Sequence, residues 1–238
     1  MIWSSKRVKN LLKAKAKPAK SRILLRFFKT KKGDYGEGDK FLGVVVPEQR
    51  KIVRLCRHLN LKEIDKLLHD RFHECRLTAL LILVDKFAQA DSFEQKQIFK
   101  LYLKRTYLIN NWDLVDLSAP KIVGLYLLDK PQEQKILLKL AQSKSLWEKR
   151  ISIISTYPFI KKQDFRLTLR IAQKLLNDKH DLIHKAVGWM LREIGKIDCR
   201  AEKKFLDANA SKMPRVMLRY AIEKFSPRQR KLYLNMAH

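Results

Sequence analysis

The residues best suited to chemistry lie in three tryptophan-bearing segments. In Asn110-Asn111-Trp112-Asp113-Leu114-Val115-Asp116, Asn111 is a good helix N-cap. Trp112 and Asp116 then fall at i and i+4 and share one helix face. An aromatic plane beside a carboxylate suits a cationic ligand, because the ring offers cation–π attraction and the carboxylate a full charge. The plainer alternative is a partly buried tryptophan with an exposed aspartate at a helix start, favoured by the helix dipole. In Ser145-Leu146-Trp147-Glu148-Lys149-Arg150, Trp147 and Arg150 stand at i and i+3. Trp147 reads as core, and Arg150 as a partner for Asp116 or a clamp on a phosphate. The third segment, from Ile183 to Glu193, carries Gly188 directly before Trp189. Glycine in mid-helix costs about 1 kcal/mol relative to alanine, so Gly188 implies close approach by a neighbouring helix or a ligand backbone. Lys185 and Arg192 in this segment either touch phosphates or brace adjoining helices.

Other candidates are weaker. His180 and His184 are four apart, as metal ligands often are, but no HExxH and no third ligand accompany them, which favours a helix N-terminal or surface role and no metal. His73-Glu74 in HECR completes no zinc motif, and a salt bridge with Arg76 or a later helix suits it better. Four of the seven glycines, Gly33, Gly36, Gly38 and Gly43, form a loop whose GEGDK resembles a nucleotide loop. It lacks GxxxxGK[ST] and a strand-to-helix setting, so no nucleotide cofactor is expected. Cys56, Cys75 and Cys199 are odd in number and form no CxxC, which disfavours disulfides and zinc and suits a reducing compartment.

The elements that must hold these residues are helices. The 238-residue chain has seven glycines and seven prolines, and amphipathic patterns recur from Pro47 onward. They predict helices over 47–58, 61–69, 71–90, 93–108, 112–128, 131–143, 145–157, 164–177, 181–196, 200–211, 214–225 and 227–237. Helix pairs recur every 35–45 residues or so, which is the period of HEAT-like repeats. The predicted fold class is all-α, a HEAT-like helical-repeat solenoid whose concave groove is basic. With 52 Lys and Arg against 24 acidic residues, the net charge of +28 calls for a polyanion. The apolar run Leu77–Val84 is about half the ~20 residues that would span a bilayer. Residues 1–32 hold twelve Lys and Arg and no acid. Residues 1–20 are expected as a basic N-terminal arm adding phosphate contacts, with a targeting peptide as the alternative. The remainder, 21–238, is expected as a single domain. Pro18 to Phe28 has the pattern of a helix of its own, with Pro at its start.

The segments GDKFLGVVVPEQR, HECR, NNWDLVD, SLWEKR and HKAVGWMLREIGK, in this order, resemble the AlkD-like DNA alkylation repair family. The resemblance runs from about Arg22 to Phe225, and the combination of WDxVD, WxxR and KAxGWxLRE is specific as a set. It implies an α-solenoid holding duplex DNA and a glycosylase that excises N3- or N7-alkylated purines. By motif, Asp116 is implied as the catalytic carboxylate. Trp112 and Trp189 are implied as the pair lining the lesion's sugar and backbone, and Arg150 as the arginine beside the scission site. Glu148 departs from the basic or Gln residue common in the Trp–Arg stretch. A lesion-approaching tyrosine corresponds to Tyr35, although the glycine-rich loop alters the spacing there.

An N3- or N7-alkylated purine already carries positive charge and leaves as a neutral base, so no general acid is required. A carboxylate that stabilises the oxocarbenium-like sugar and positions water is sufficient, assisted by indole faces. The implied protein is a cytoplasmic, nucleoid-associated monomer acting on double-stranded DNA without a cofactor. The alternative is a helical-repeat protein that binds DNA structure without cutting glycosidic bonds. A protein–protein scaffold is disfavoured by the charge.

Overall fold

The computed structural model describes residues 3–236, which are all-α apart from one isolated bridge between Lys40 and Phe72. The helices form two compact units divided between Ile122 and Val123. No helix among the described residues is long and apolar enough to cross a membrane. Residues 1–2 of the expected arm and residue 237 of the last expected helix lie outside the described residues.

The first unit holds α1 (Ser5–Ala14), α2 (Pro18–Phe27), α3 (Val46–Leu55), α4 (Leu61–Leu68), α5 (His73–Gln89), α6 (Ser92–Lys104) and α7 (Trp112–Ala119). Helix α5 is its centre. Its residues from His73 to Leu83 are all buried, and it packs against α3, α4 and α7. A helix buried all round needs apolar residues on every face, and the run Leu77 to Leu83 supplies them. Helix α1 lies within the stretch whose charge suggested an arm. Its Val8 and Leu12 are fully exposed to no solvent, and Ser5 donates through both N–H and hydroxyl to Glu63 at 2.8 Å. Two apolar residues at i and i+4 are enough to seat a helix whose remaining faces are cationic.

The second unit holds α8 (Leu125–Leu128), α9 (Lys135–Leu140), α10 (Leu146–Ile154), α11 (Tyr157–Lys161), α12 (Arg166–Leu175), α13 (Asp181–Gly195), α14 (Cys199–Asn209), α15 (Arg215–Ala221) and α16 (Pro227–Met236). Here α13 is central, packed against α10, α12, α14 and α15. Side chains cap several helix starts, with Asn60 accepting from Glu63 N–H at 2.9 Å, Asp91 from Glu94 N–H at 2.8 Å and Asp198 from Arg200 N–H at 2.8 Å.

The single helix predicted over 112–128 is interrupted. A π-helical turn occupies Pro120–Gly124 between α7 and α8. Proline has no N–H to donate and its ring crowds the preceding turn, so the regular ladder cannot pass through Pro120. The helix predicted over 145–157 also ends early, at Ile154, and α11 starts anew with Pro158 in its first turn.

Candidate functional site

In the first unit, a run of stacked rings leads to Trp112. The Trp112 ring lies on Phe28 (centroids 5.4 Å apart), Phe28 on Phe41 (5.1 Å), and Phe41 on the imidazole of His73 (4.7 Å). Phe28, Phe41 and His73 are buried, whereas Trp112 is half-buried at the solvent end. Phe27 meets the Trp112 ring edge-on at 5.9 Å and is 59% exposed, an unusual position for so large an apolar side chain.

Beneath the rings lies a buried ionic network. His73 Nδ1 is 3.1 Å from Asp39 Oδ2, and its Nε2 is 2.8 Å from Asp113 Oδ2. With a carboxylate at each nitrogen, only the doubly protonated imidazolium donates to both. Burial opposes that charge, but Asp113 and Asp39 outweigh it and raise the His73 pKa to about 9. Asp39 also accepts from Arg76 Nη2 at 2.5 Å and from Asn110 Nδ2 at 3.2 Å. Burial would raise the Asp39 pKa, yet the His73 hydrogen bond and the Arg76 charge bring it below the ordinary value.

This network fixes both segments that flank Trp112. Asp113 belongs to the first turn of α7, and Asp39 to the glycine-rich loop. Glu74 secures the loop from the other side by accepting from the N–H groups of Leu42 (2.9 Å), Gly43 (2.8 Å) and Val44 (3.2 Å). Gly43 is required there. Its φ is +84°, and a Cβ would lie 2.2 Å from the Lys17 carbonyl oxygen. The α7 start is set by Asn111, whose side-chain oxygen accepts from Trp112 N–H at 2.8 Å.

Asp116 is half-buried one turn beyond Trp112 on α7. Its charge acts on the fully buried Tyr102, whose phenol is held protonated chiefly by burial against a hydrogen bond with Ser118 (2.9 Å), with Asp116 adding to the upward shift. Tyr35 is half-buried in the loop, with Lys29 Nζ 6.0 Å from its ring centroid.

The remaining sequence-predicted residues lie in the second unit. Arg150 on α10 is 5% exposed, and its Nη1 donates to the Leu182 carbonyl at 2.6 Å, tying α10 to the start of α13. Helix α13 carries Lys185, Trp189 and Arg192. Trp189 is half-buried and its Nε1–H donates to Glu193 at 3.0 Å; Lys196 also binds Glu193, at 2.6 Å. Lys185 is paired with Asp181 at 2.9 Å, and Arg192 with Glu223. His180 accepts from Leu182 N–H at 3.1 Å as the cap of α13, and His184 Nε2 lies 2.5 Å from the Asp178 carbonyl. Gly188 faces α15 so closely that a Cβ would lie 2.4 Å from the Met217 carbonyl oxygen. The mid-helix glycine therefore serves helix–helix contact.

Sequence reasoning missed Asp39, His73 and the rings of Phe27, Phe28 and Phe41 as companions of Trp112. The signal for Asp39, Phe41 and His73 lay in charged residues adjoining apolar ones in GDKFLG and HECR, and that for Phe27 and Phe28 in the apolar end of α2, but nothing local pairs residues so far apart in the chain.

A half-buried indole held by buried rings, with a carboxylate one turn along the same helix, is equipped to receive a cation. The family model for DNA alkylation repair enzymes matches residues 8–225, and the chain belongs to that family. Among solved structures it is similar to one described as "Predicted DNA alkylation repair enzyme from Enterococcus faecalis". That likeness has a TM-score of 0.70 at 14% identity, covering 90% of this chain and 98% of the other, and it establishes the shared fold. Comparison with curated proteins found no match.

Proposed function

We propose that the protein is a monofunctional DNA glycosylase that excises cationic N3- or N7-alkylated purines from duplex DNA. The observation that carries this reading is the pairing of Trp112 and Asp116 on α7, with the indole backed by Phe28 and the helix start anchored through Asp113 to His73. Membership of a DNA alkylation repair family and a net charge of +28 support DNA as the partner.

In this reading Asp116 stabilises the oxocarbenium-like sugar and orients the attacking water. The Trp112 face attracts the same developing cation. The bond between the sugar C1′ and the base nitrogen breaks, its electron pair neutralises the cationic base, and water supplies the oxygen at C1′ and releases a proton to the solvent. No protonated acid has to assist departure, and in keeping with this Asp116 is only half-buried. Roles for Arg150 and Trp189 in the same reaction rest on their motifs, and Tyr35, Lys185 and Arg192 are proposed as DNA contacts on the same ground.

The test compares single-turnover release of N7-methylguanine and of an uncharged lesion, hypoxanthine, from otherwise identical duplexes. Release of the cationic base alone is expected. Equal release of both would show that the charge of the substrate is not what the site uses.

A further inference from the structure

A cleft of about 150 Å³ opens between α3 and α5. Arg50, Val53, Arg54 and Arg57 line one wall, and Leu81, Val84 and Asp85 the other. Val53 and Leu81 are buried and give the cleft an apolar base, while the three arginines are exposed. Arg50 and Arg54 stand at i and i+4 on α3, two like charges on one helix face, and Arg57 follows in the turn after the helix. Arg57 Nε lies 3.3 Å from Asp85 Oδ2. Glu48, the acidic residue in the first turn of α3, is engaged by Lys51 at 2.5 Å. Arg50 and Arg54 thus have no ion-pair partner among the described residues. The α3 dipole favours the cation in its last turn, Arg54, but offers nothing to Arg50 in mid-helix. An anion shared between the Arg50 and Arg54 guanidinium groups would relieve their repulsion.

We propose that this cleft is a phosphate subsite, in which Arg50 and Arg54 hold a tetrahedral oxyanion and Arg57 remains on Asp85. Guanidinium forks match two oxygens of a phosphate at once, which ammonium groups do not. The oxyanion is either a phosphodiester of the DNA backbone or free phosphate. The subsite does not include Trp112 or Asp116 and does not require base release. Only the choice of DNA as one source rests on the function proposed above.

The test follows the guanidinium Nε–Hε NMR signals of Arg50 and Arg54 in the full chain. One arm adds inorganic phosphate against chloride at constant ionic strength, and the other adds a short undamaged duplex. In parallel, duplex affinity is measured across salt concentrations for wild type, Arg50→Ala/Arg54→Ala and Lys135→Ala/Lys139→Ala. The lysine pair has the same spacing and charge on α9. We expect saturable shifts at both arginines, and for the arginine variant a slope of log Kobs against log salt shallower by about 1, the change for losing one backbone phosphate. Shifts with duplex but not with inorganic phosphate assign the subsite to the DNA backbone. Shifts with phosphate alone, and an unchanged slope, assign it to the free ion. No shift in either arm, with both double variants weakening DNA equally, overturns the proposal. Because no arm reads base release, that outcome is separate from failure of the glycosylase reading.

Discussion

Trp112 and Asp116 were legible at the residue scale because an N-cap followed by a four-residue spacing fixes which side chains share a helix face. His73 was not. Its partners Asp39 and Asp113 lie 34 and 40 residues away, and only the fold brings an imidazole between two carboxylates. Removing it leaves two buried carboxylates facing each other. His73→Ala is therefore expected to lose about 3–5 kcal/mol in urea unfolding, in line with breaking a buried ion pair. A loss below 1 kcal/mol would mean that the network adds little to the stability of the first unit.

His73 also sets a pH dependence. Its pKa rises from an ordinary 6.5 to about 9 on folding, so folding favours the protonated form. The stability it contributes is complete below about pH 6.5 and is lost as pH rises through 9. Glu202 acts in the same direction by another route. Burial lifts its carboxyl from 4.5 to about 8 against the pull of Arg192, so the neutral acid is the form that folds well. The melting temperature should accordingly fall between pH 7 and 9. Glu202→Gln should be stabilising relative to wild type at pH 9 and close to neutral at pH 5, as checked by thermal unfolding at the two pH values. The reverse ordering would mean that Glu202 is ionised in the fold.

At the scale of elements, the amphipathic periodicity anticipated most helices, because one apolar face per helix is what packing in a helical repeat demands. It did not anticipate the π-turn at Pro120–Gly124, where apolar spacing continues through a proline that breaks the hydrogen-bond ladder. Nor did it anticipate the seating of α1, since twelve cations in residues 1–32 mask the two apolar positions that bury. Gly188 was legible as a point of close approach, but not as helix contact rather than ligand contact. With Met217 and Tyr220 of α15 so near, Gly188→Ala should destabilise the second unit by about 1–3 kcal/mol through overpacking. An unchanged urea midpoint would show that α15 can withdraw freely.

At the scale of the whole molecule, the charge of +28 indicated a polyanionic partner, and the order of the five motifs indicated the family. Composition carries that information because phosphate contacts need only many cations, whereas catalysis needs particular atoms in place. Affinity for undamaged duplex should therefore fall by about 10³-fold between 50 and 200 mM salt if some six phosphates are contacted. Affinity indifferent to salt would contradict a phosphate-dominated interface. Whether Asp116 performs base release is decided by free alkylpurine released from methylated duplex by wild type and by Asp116→Asn at matched DNA occupancy. Release by wild type is expected, with a loss of at least about 100-fold in the variant and unfolding and DNA binding unchanged. Equal release by both proteins would contradict that role for Asp116.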